Sequence, residues 1–339
     1  SGVNTLPSLG KGMGHLHELP DQQALAATVA LVSERIEASS DLLPALDRSF
    51  ALFNSARPGP VHIDLPLDVA GRPYEVGCPE VVEPVTLLPD KDQIAQAAKL
   101  LRVATCPVIL AGGGARRSCD VIHKLAKRLD APVVQTVNAR GILHGHALSV
   151  PASPSLQAVR SLISASDVVL AVGTEFGPTD YDMYATDTMP QMNNLIRIDI
   201  CPDQLERHPA VVAILGTVET ILRSFNDILG PGDAEGTGVI RADLARRQAF
   251  DEIGDEMRAI CDILEATRAV VPGALIVGDS TQLVYAGNLY YDHDRAFGWF
   301  NAATGFGALG YGIPAAIGAS FAAPNAPVSY THLTLPTSY

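Results

Sequence analysis

A glycine-rich segment near the end of the chain carries the clearest pattern of residues that could serve chemistry. From Gly305 to Gly312 a glycine occupies nearly every second position, in the order Gly-Phe-Gly-Ala-Leu-Gly-Tyr-Gly. Because glycine has no Cβ, a backbone of this composition can approach a flat ligand closely. Pro314 then opens an alanine-rich stretch, as is typical of the first turn of a helix. The same spacing also suits a tight turn with close helix packing, so both interpretations stay open.

Two histidines and a glutamate form a second candidate group. His15, His17 and Glu18 fall within one short stretch, and imidazoles beside a carboxylate are typical of metal binding or acid–base chemistry. No third ligand accompanies them, so no metal ligand is assigned, and a surface or hinge role for His17 is the alternative. The apolar run at 60–66, bounded by turn residues, predicts a buried strand, and His62 within it is interpreted as a hydrogen-bonded core residue.

Alternating helices and strands must position these residues. Apolar residues recur with the helical period after Asp90, at Ile94, Ala97, Ala98 and Leu101, which predicts an amphipathic helix. Continuous apolar strands separated by helices then predict a parallel sheet covered on both faces. The fold class is therefore α/β, with a doubly wound central domain. Its strands are predicted at Val108–Ala111, Pro132–Val134, Val168–Val172, Leu195–Ile200 and Val211–Leu215.

Composition divides the chain into three α/β blocks and a short tail. A proline-rich stretch at 79–84 and a Gly/Pro-rich stretch at 230–238 are interpreted as linkers. The third block is predicted to open with one helix around 241–268 and then the strand Leu275–Val277. The predicted domains span 1–85, 88–228 and 240–328, followed by a tail at 329–339.

The two ends of the chain look incomplete. Val328 begins the run Val-Ser-Tyr-Thr-His-Leu-Thr-Leu-Pro-Thr, which matches one reading frame of a common transposase sequencing adapter. Ser1 stands where a complete gene product would begin with Met. We therefore expect a fragment truncated at both ends, with a non-native tail.

Composition also excludes several functional classes. With 24 Lys+Arg against 37 Asp+Glu the net charge is −13, which disfavours nucleic acids and anionic membranes because both select clustered basic residues. A content of 47% hydrophobic residues predicts a large core, yet no apolar run reaches the ~18 residues of a membrane span. The five cysteines are widely spaced and form no CxxC pair. They predict reduced thiols and a cytoplasmic location.

Four stretches in the correct order resemble the thiamine-diphosphate-dependent enzymes of the acetolactate synthase large-subunit type. Within that family, Lys11–Glu18 and Thr281–Leu283 are most similar to the 5-guanidino-2-oxopentanoate decarboxylase branch. The first block then resembles the end of the pyrimidine-binding domain, the second the central domain, and the third the start of the diphosphate-binding domain. The stretches that carry the family resemblance are Arg57–Val69, Pro107–Gly114 with Ala171–Glu175, Asp279–Gln282, and Gly305–Gly318.

The resemblance implies a function and a set of site residues. Thiamine diphosphate, held with Mg²⁺, serves as an electron sink while a 2-oxo acid loses carbon dioxide, and the product is an aldehyde or a second-substrate adduct. Leu309 resembles the apolar wedge that bends the cofactor, and the Gly307 carbonyl resembles the acceptor for its amino group. Gln282 and Gly305 resemble further cofactor contacts, and His17 a proton donor facing the substrate. Family members assemble as homodimers or homotetramers.

The chain also departs from the family pattern. By the resemblance, the catalytic glutamate lies before Ser1 and the metal-binding GDG…N stretch lies after Val328, so Glu18 and Asp279 are not assigned to these roles. Glu175 stands where flavin-binding members place an arginine, and a carboxylate would repel a diphosphate. FAD is therefore doubtful. The alternatives are a nucleotide-binding scaffold and a pseudoenzyme without catalysis.

Overall fold

The computed structural model describes residues 2–74, 87–183, 185–231 and 236–332. The chain divides into two compact units, Ser1–Leu87 and Leu88–Tyr339. The predicted proline-rich linker at 79–84 lies outside the described residues, as do residues 232–235 of the second linker and residues 333–339 of the tail. No helix in the described ranges is long and apolar enough to span a membrane.

The first unit is a small α/β layer. Its three strands are parallel in the order β1-β3-β2, and the predicted apolar strand at 60–66 is confirmed as β3. Ile36, Ala45 and Val69 form its buried apolar cluster. The elements are β1 (Gly2–Val3), α1 (Gln22–Ala27), β2 (Val32–Arg35), α2 (Leu42–Ser55), β3 (Val61–Pro66) and α3 (Leu67–Ala70).

The second unit is built on a six-stranded parallel sheet. Its strands follow the order β6-β5-β4-β7-β8-β9, which is the 3-2-1-4-5-6 order of dinucleotide-binding folds. Separate apolar clusters cover the two faces, so the predicted doubly wound domain is confirmed. The strands are β4 (Val108–Ala111), β5 (Val133–Gln135), β6 (Ser149–Val150), β7 (Val169–Val172), β8 (Ile196–Asp199) and β9 (Val212–Leu215).

A side-chain cap begins the first helix of this sheet. The first helix starts after Asp90, whose Oδ1 accepts hydrogen bonds from the backbone N–H of Asp92 at 2.7 Å and Gln93 at 3.4 Å. Its four predicted core residues are all buried. The helices are α4 (Lys91–Val103), α5 (Cys119–Leu129), α6 (Gln157–Ser164), α7 (Pro178–Tyr181), α8 (Pro202–Glu206) and α9 (Val218–Leu229).

The single helix predicted around 241–268 is wrong in one respect, because the chain forms two helices there. They are α10 (Gly238–Glu252) and α11 (Gly254–Val270). Gly254 has a φ of +78°, which an α-helix does not allow, so the helix is interrupted at that residue. Ala242, Ala245 and Ala249 of α10 join the apolar cluster that contains Val159 and Leu162 of α6. The later helix packs against α12 (Gln282–Leu289).

A second, three-stranded sheet closes the unit. Its strands are β10 (Leu275–Gly278), β11 (Trp299–Asn301) and β12 (Val328–Tyr330), with β10 central and both neighbours parallel to it. Helix α13 (Gly312–Ala322) packs on this sheet. Strand β12 includes the first residues of the stretch interpreted as non-native, and its pairing uses backbone atoms only. The adapter origin of 329–339 stays a prediction.

A buried arginine fastens the two sheets of the second unit together. Arg140 follows β5 of the larger sheet and is only 1% exposed. Its guanidinium donates to the carbonyl oxygens of Asn288 at 2.9 Å, Tyr291 at 2.9 Å, and Pro151. Burial lowers the pKa of Arg140 to about 10, so the side chain keeps its charge at neutral pH.

Candidate functional site

The glycine-rich segment lies at the edge of the smaller sheet where parallel strands end. Strand β10 ends at Gly278 and β11 at Asn301, and both strands run in the same direction. The loops that follow them therefore meet at one edge, which is the usual ligand side of parallel α/β sheets. Gln282 begins α12 from the first loop, and Gly305, Gly307 and Leu309 belong to the second.

Asp279 joins these two loops. Its side chain is fully buried, and its Oδ2 accepts hydrogen bonds from the backbone N–H of Gly310 at 2.8 Å and Gly312 at 3.3 Å. Its Oδ1 accepts from the N–H of Ser280 at 2.9 Å. A Cβ at Gly312 would lie 2.3 Å from the carbonyl oxygen of Thr331, so this glycine is required by packing. The sequence did not assign Asp279 as a metal ligand, and it gave no signal that this carboxylate holds the two loops together.

The residues of the turn itself face outwards. Gly307 and Gly310 have φ values of +77° and +83°, in the left-handed region that favours glycine. Phe306 is fully exposed and Leu309 is 69% exposed, although apolar side chains gain free energy when they are covered. Gly312 thus serves close packing, whereas Gly307 and Leu309 present backbone and an apolar side chain outwards, and ligand contact at these residues stays a prediction.

The histidine loop of the first unit is held by Glu18. The Glu18 carboxylate accepts hydrogen bonds from the backbone N–H of Gly12 at 2.6 Å, Gly14 at 2.8 Å and His15 at 3.0 Å. Partial burial alone would raise the pKa of Glu18, but these hydrogen bonds outweigh it and lower the pKa. His17 is exposed, with a φ of +60° that is uncommon for a residue with a side chain. In the described ranges no three His, Cys, Asp or Glu side chains cluster as metal ligands would.

A cavity beside His17 contains a residue that sequence reasoning missed. The cavity has a volume of about 120 Å³, and Asn4, His17, Gln22 and Arg35 are among the residues that line it. Arg35 lies on the same face of the sheet as Asp64, because the two residues pair across β2 and β3. An arginine in a polar strand gives no periodic signal, so only the strand register reveals its place.

The strand histidine behaves as the sequence suggested. His62 Nε2 lies 3.1 Å from Asp64 Oδ1, and His62 Nδ1 lies 2.9 Å from Ser33 Oγ. Both ring nitrogens therefore have polar partners within the first unit. The interpretation of His62 as a hydrogen-bonded structural residue agrees with these contacts.

The glycine cluster of the larger sheet is explained by close backbone contact. Gly112 and Gly114 follow β4, and a Cβ on either would lie under 3.0 Å from atoms of Gly173 after β7. Glu175 follows on the exposed side, while the nearby Arg197 is buried and donates to carbonyl oxygens of Gln204 and Thr174. Exposed Arg207 and half-buried His208 line a cavity of about 370 Å³ together with Glu175, so the doubt about FAD that Glu175 raises stays a prediction.

This fold and these two loops define a class of protein. The sequence model of the thiamine pyrophosphate enzyme central domain matches residues 94–225, and that of the C-terminal thiamine pyrophosphate binding domain matches residues 279–331. The chain belongs to the thiamine pyrophosphate enzymes. The second match contains Gln282, Gly305, Gly307 and Leu309, whose contact with the cofactor stays a prediction.

Individual members of this family are similar to the chain over most of its length. A probable 2-ketoarginine decarboxylase of Pseudomonas aeruginosa is 35% identical over 336 residues, covering 96% of this chain and 59% of its own length. The acetolactate synthase large subunit of Haemophilus influenzae is 26% identical over 339 residues, covering 91% and 57%. A sulfoacetaldehyde acetyltransferase of Roseovarius nubinhibens is 27% identical over 351 residues, covering 94% and 57%. The chain spans under three fifths of the length of these relatives.

Proposed function

We propose that the protein is a thiamine-diphosphate-dependent enzyme that decarboxylates a 2-oxo acid, either to an aldehyde or with transfer to a second acceptor. One observation carries the proposal. The turn held by buried Asp279 presents Gly307 and Leu309 outwards at the carboxyl edge of a parallel sheet, within the segment matched by the thiamine pyrophosphate binding domain. The similarity to a probable 2-ketoarginine decarboxylase favours the decarboxylase branch.

The chain's own residues would divide the work as follows. Leu309 would pack against the cofactor and fix its bent shape, and the Gly307 carbonyl would accept a hydrogen bond from its amino group. Gln282 and Gly305 would contact it from the two adjoining loops. His17 would donate a proton to the substrate. Bound thiamine diphosphate supplies the electron sink for decarboxylation.

The remaining components belong to the same proposal. Mg²⁺ would hold the diphosphate through ligands outside the residues present here, and FAD would be absent because Glu175 replaces a basic partner. The protein would act as a homodimer or homotetramer in the cytoplasm. The free thiols of Cys106, Cys119, Cys201 and Cys261 support a reducing compartment.

The test is an assay of the complete protein encoded by the source gene. Its DNA should be read across both ends of this sequence and the whole protein expressed. We expect carbon dioxide release from 5-guanidino-2-oxopentanoate or pyruvate that requires both thiamine diphosphate and Mg²⁺. Leu309→Ala should lower kcat by about 100-fold, because a misplaced reactive group costs a factor of this order. Turnover that is independent of thiamine diphosphate would refute the proposal.

A nucleotide-binding scaffold is the alternative, because the larger sheet has the dinucleotide-binding strand order. It is distinguished by direct titration of the complete protein with FAD, NAD and thiamine diphosphate. Tight binding of a dinucleotide without binding of thiamine diphosphate would favour the scaffold.

A further inference from the structure

One face of the first unit's sheet carries a cluster of polar side chains. Strands β2 and β3 align Ser33 with His62 and Arg35 with Asp64, so these four side chains share a face. Asp64 is fully buried. Gln22 Nε2 of α1 donates to Asp64 Oδ1 at 3.1 Å. A buried carboxylate with several polar partners is held rigidly, so it can orient a charged group beside it.

Arg35 lies beside Asp64 with much of its hydrogen-bonding capacity unused. Arg35 NH2 lies 3.6 Å from Asp64 Oδ2, which is longer than a hydrogen bond. The buried Nε atom of Arg35 has no hydrogen-bond partner in the described part of the chain. A guanidinium has five N–H donors in a planar fork that matches a carboxylate. Arg35 is therefore oriented by Asp64, and its side chain, which is 24% exposed, can still take a planar anion at its two terminal nitrogens.

Arg35 lines the cavity next to His17. The cavity volume of about 120 Å³ is several times the ~10–15 Å³ that one water molecule requires, which leaves room for a carboxylate with its adjoining carbonyl. The two acidic side chains that also line the cavity accept hydrogen bonds from backbone N–H groups. Glu18 accepts three N–H groups, and Asp21 accepts the N–H of Ala24 at 2.9 Å.

We propose that this cavity binds the carboxylate of a small 2-oxo acid through Arg35, and that Arg35 thereby places the substrate beside His17. The inference rests on the proposed function, because it names where that reaction's substrate is held. It assigns substrate binding to Arg35, and it gives Asp64 and Gln22 the role of orienting that arginine.

The first test uses the chain as it stands, with pyruvate as the probe and pyruvamide as its neutral isostere. Saturation-transfer NMR should detect pyruvate binding at up to ~10 mM, about ten times the upper end of common KM values. Arg35→Gln should weaken it about 10- to 100-fold, the range for a hydrogen-bonded charge. Pyruvamide should bind weakly to both proteins. Equal binding of pyruvate and pyruvamide, or no pyruvate binding by the unaltered chain, overturns the proposal.

Two further variants separate binding from folding. Arg48→Gln removes the same charge from α2, where Arg48 pairs with Glu34 instead of lining the cavity, and should leave pyruvate affinity unchanged. Arg35→Lys keeps a positive charge beside Asp64 but loses the planar fork, and should give an intermediate affinity. If Arg35→Gln and Arg48→Gln weaken binding equally, the cavity is not the site.

The complete enzyme distinguishes failure of this inference from failure of the proposed function. Arg35→Gln should raise KM for the 2-oxo acid about 10- to 100-fold, while the affinity for thiamine diphosphate stays unchanged. Turnover with an unaltered KM would overturn the role of Arg35 and leave the proposed function standing. Pyruvate binding through Arg35 in a protein without thiamine-diphosphate-dependent turnover would support this site and refute the proposed function.

Discussion

Two loops of this molecule use the same device in different surroundings. In the first unit the carboxylate of Glu18 accepts the backbone N–H groups of Gly12, Gly14 and His15. In the second unit the carboxylate of Asp279 accepts those of Gly310, Gly312 and Ser280. Glu18 reaches back six residues at most and stays partly exposed, whereas Asp279 is fully buried and reaches more than thirty residues along the chain.

Glu18 therefore stabilises a loop, whereas Asp279 stabilises the tertiary structure of its unit. A local, partly exposed acceptor orders only its own loop, because water can replace it when it is lost. A buried acceptor between distant segments is part of the tertiary structure, since its loss leaves buried N–H groups without partners. We therefore expect the His17 loop to open independently and the Leu309 turn to open only with its domain.

The largest expected effect is that of Asp279→Ala. It leaves the N–H groups of Gly310, Gly312 and Ser280 without their acceptor, and even one unsatisfied buried group costs about 1–3 kcal/mol. We expect the free energy of unfolding of the second unit to fall by about 3 kcal/mol, measured by urea denaturation. Asp279→Asn retains one acceptor oxygen and should lose less. An unchanged urea midpoint in Asp279→Ala would remove the basis of the comparison.

Acid should destabilise the second unit through its buried histidine, His293. Burial lowers the pKa of His293 to about 4, and the side chain is 1% exposed. Because the folded pKa lies below the ordinary value of about 6.5, the stabilisation is complete above pH 6.5 and is lost as the pH falls towards 4. We expect a loss of about 2 kcal/mol between pH 7.5 and pH 5 from this residue.

Urea midpoints at these two pH values measure the effect. His293→Gln cannot take up a proton, so its stability should change less between them than that of the unaltered chain. His15→Gln in the first unit is the matched control and should keep the full pH dependence. Identical pH profiles for the unaltered chain and His293→Gln would show that another group is responsible.

Glu18→Gln should have a smaller and local effect. Loss of the charged acceptor should favour opening of the loop by about 1 kcal/mol, which is about fivefold in its open population. Trypsin cleavage after Lys11 should accelerate by that factor while the urea midpoint stays constant. Glu37→Gln, at an exposed position of the same unit, is the control. A shifted global midpoint in Glu18→Gln would mean that the two anchors are alike after all.

The smallest effect on stability belongs to Leu309→Ala. Because Leu309 is 69% exposed, its truncation should change the free energy of unfolding by no more than about 0.5 kcal/mol. The strong loss of turnover expected for the same variant of the complete enzyme would then concern the cofactor alone. Thermal unfolding of the chain measures the first quantity, and a lowered midpoint there would mean that Leu309 supports the fold.

Sequence patterns predicted the parts of the fold that depend on local periodicity. The helix at Lys91–Val103 and the apolar strand at Val108–Ala111 agree with the structure because burial on one face or on both leaves a direct signal. Strand β6 was not predicted, since two residues carry no period. The interruption at Gly254 was also missed, because a single glycine inside a helical pattern is a weak signal.

The site divides along the same line. Gly305, Gly307, Leu309 and Gln282 could be selected because glycine spacing and resemblance mark them, and the structure brings them to one edge of a sheet. The anchoring role of Asp279 could not be predicted, because it acts through residues more than thirty positions away. The substrate-binding role proposed for Arg35 could not be predicted either, because it depends on strand register. Long-range partners of single polar residues are determined by topology, which no local pattern contains.

Arg140 gives the larger sheet a structural role towards the smaller one. Its buried guanidinium holds the carbonyls of Asn288 and Tyr291 at and beyond the end of the helix that Gln282 begins. The larger sheet therefore fixes the position of the helix that connects β10 to β11. A change in the larger sheet can therefore alter the alignment of the loops after β10 and β11 without replacing any residue in them.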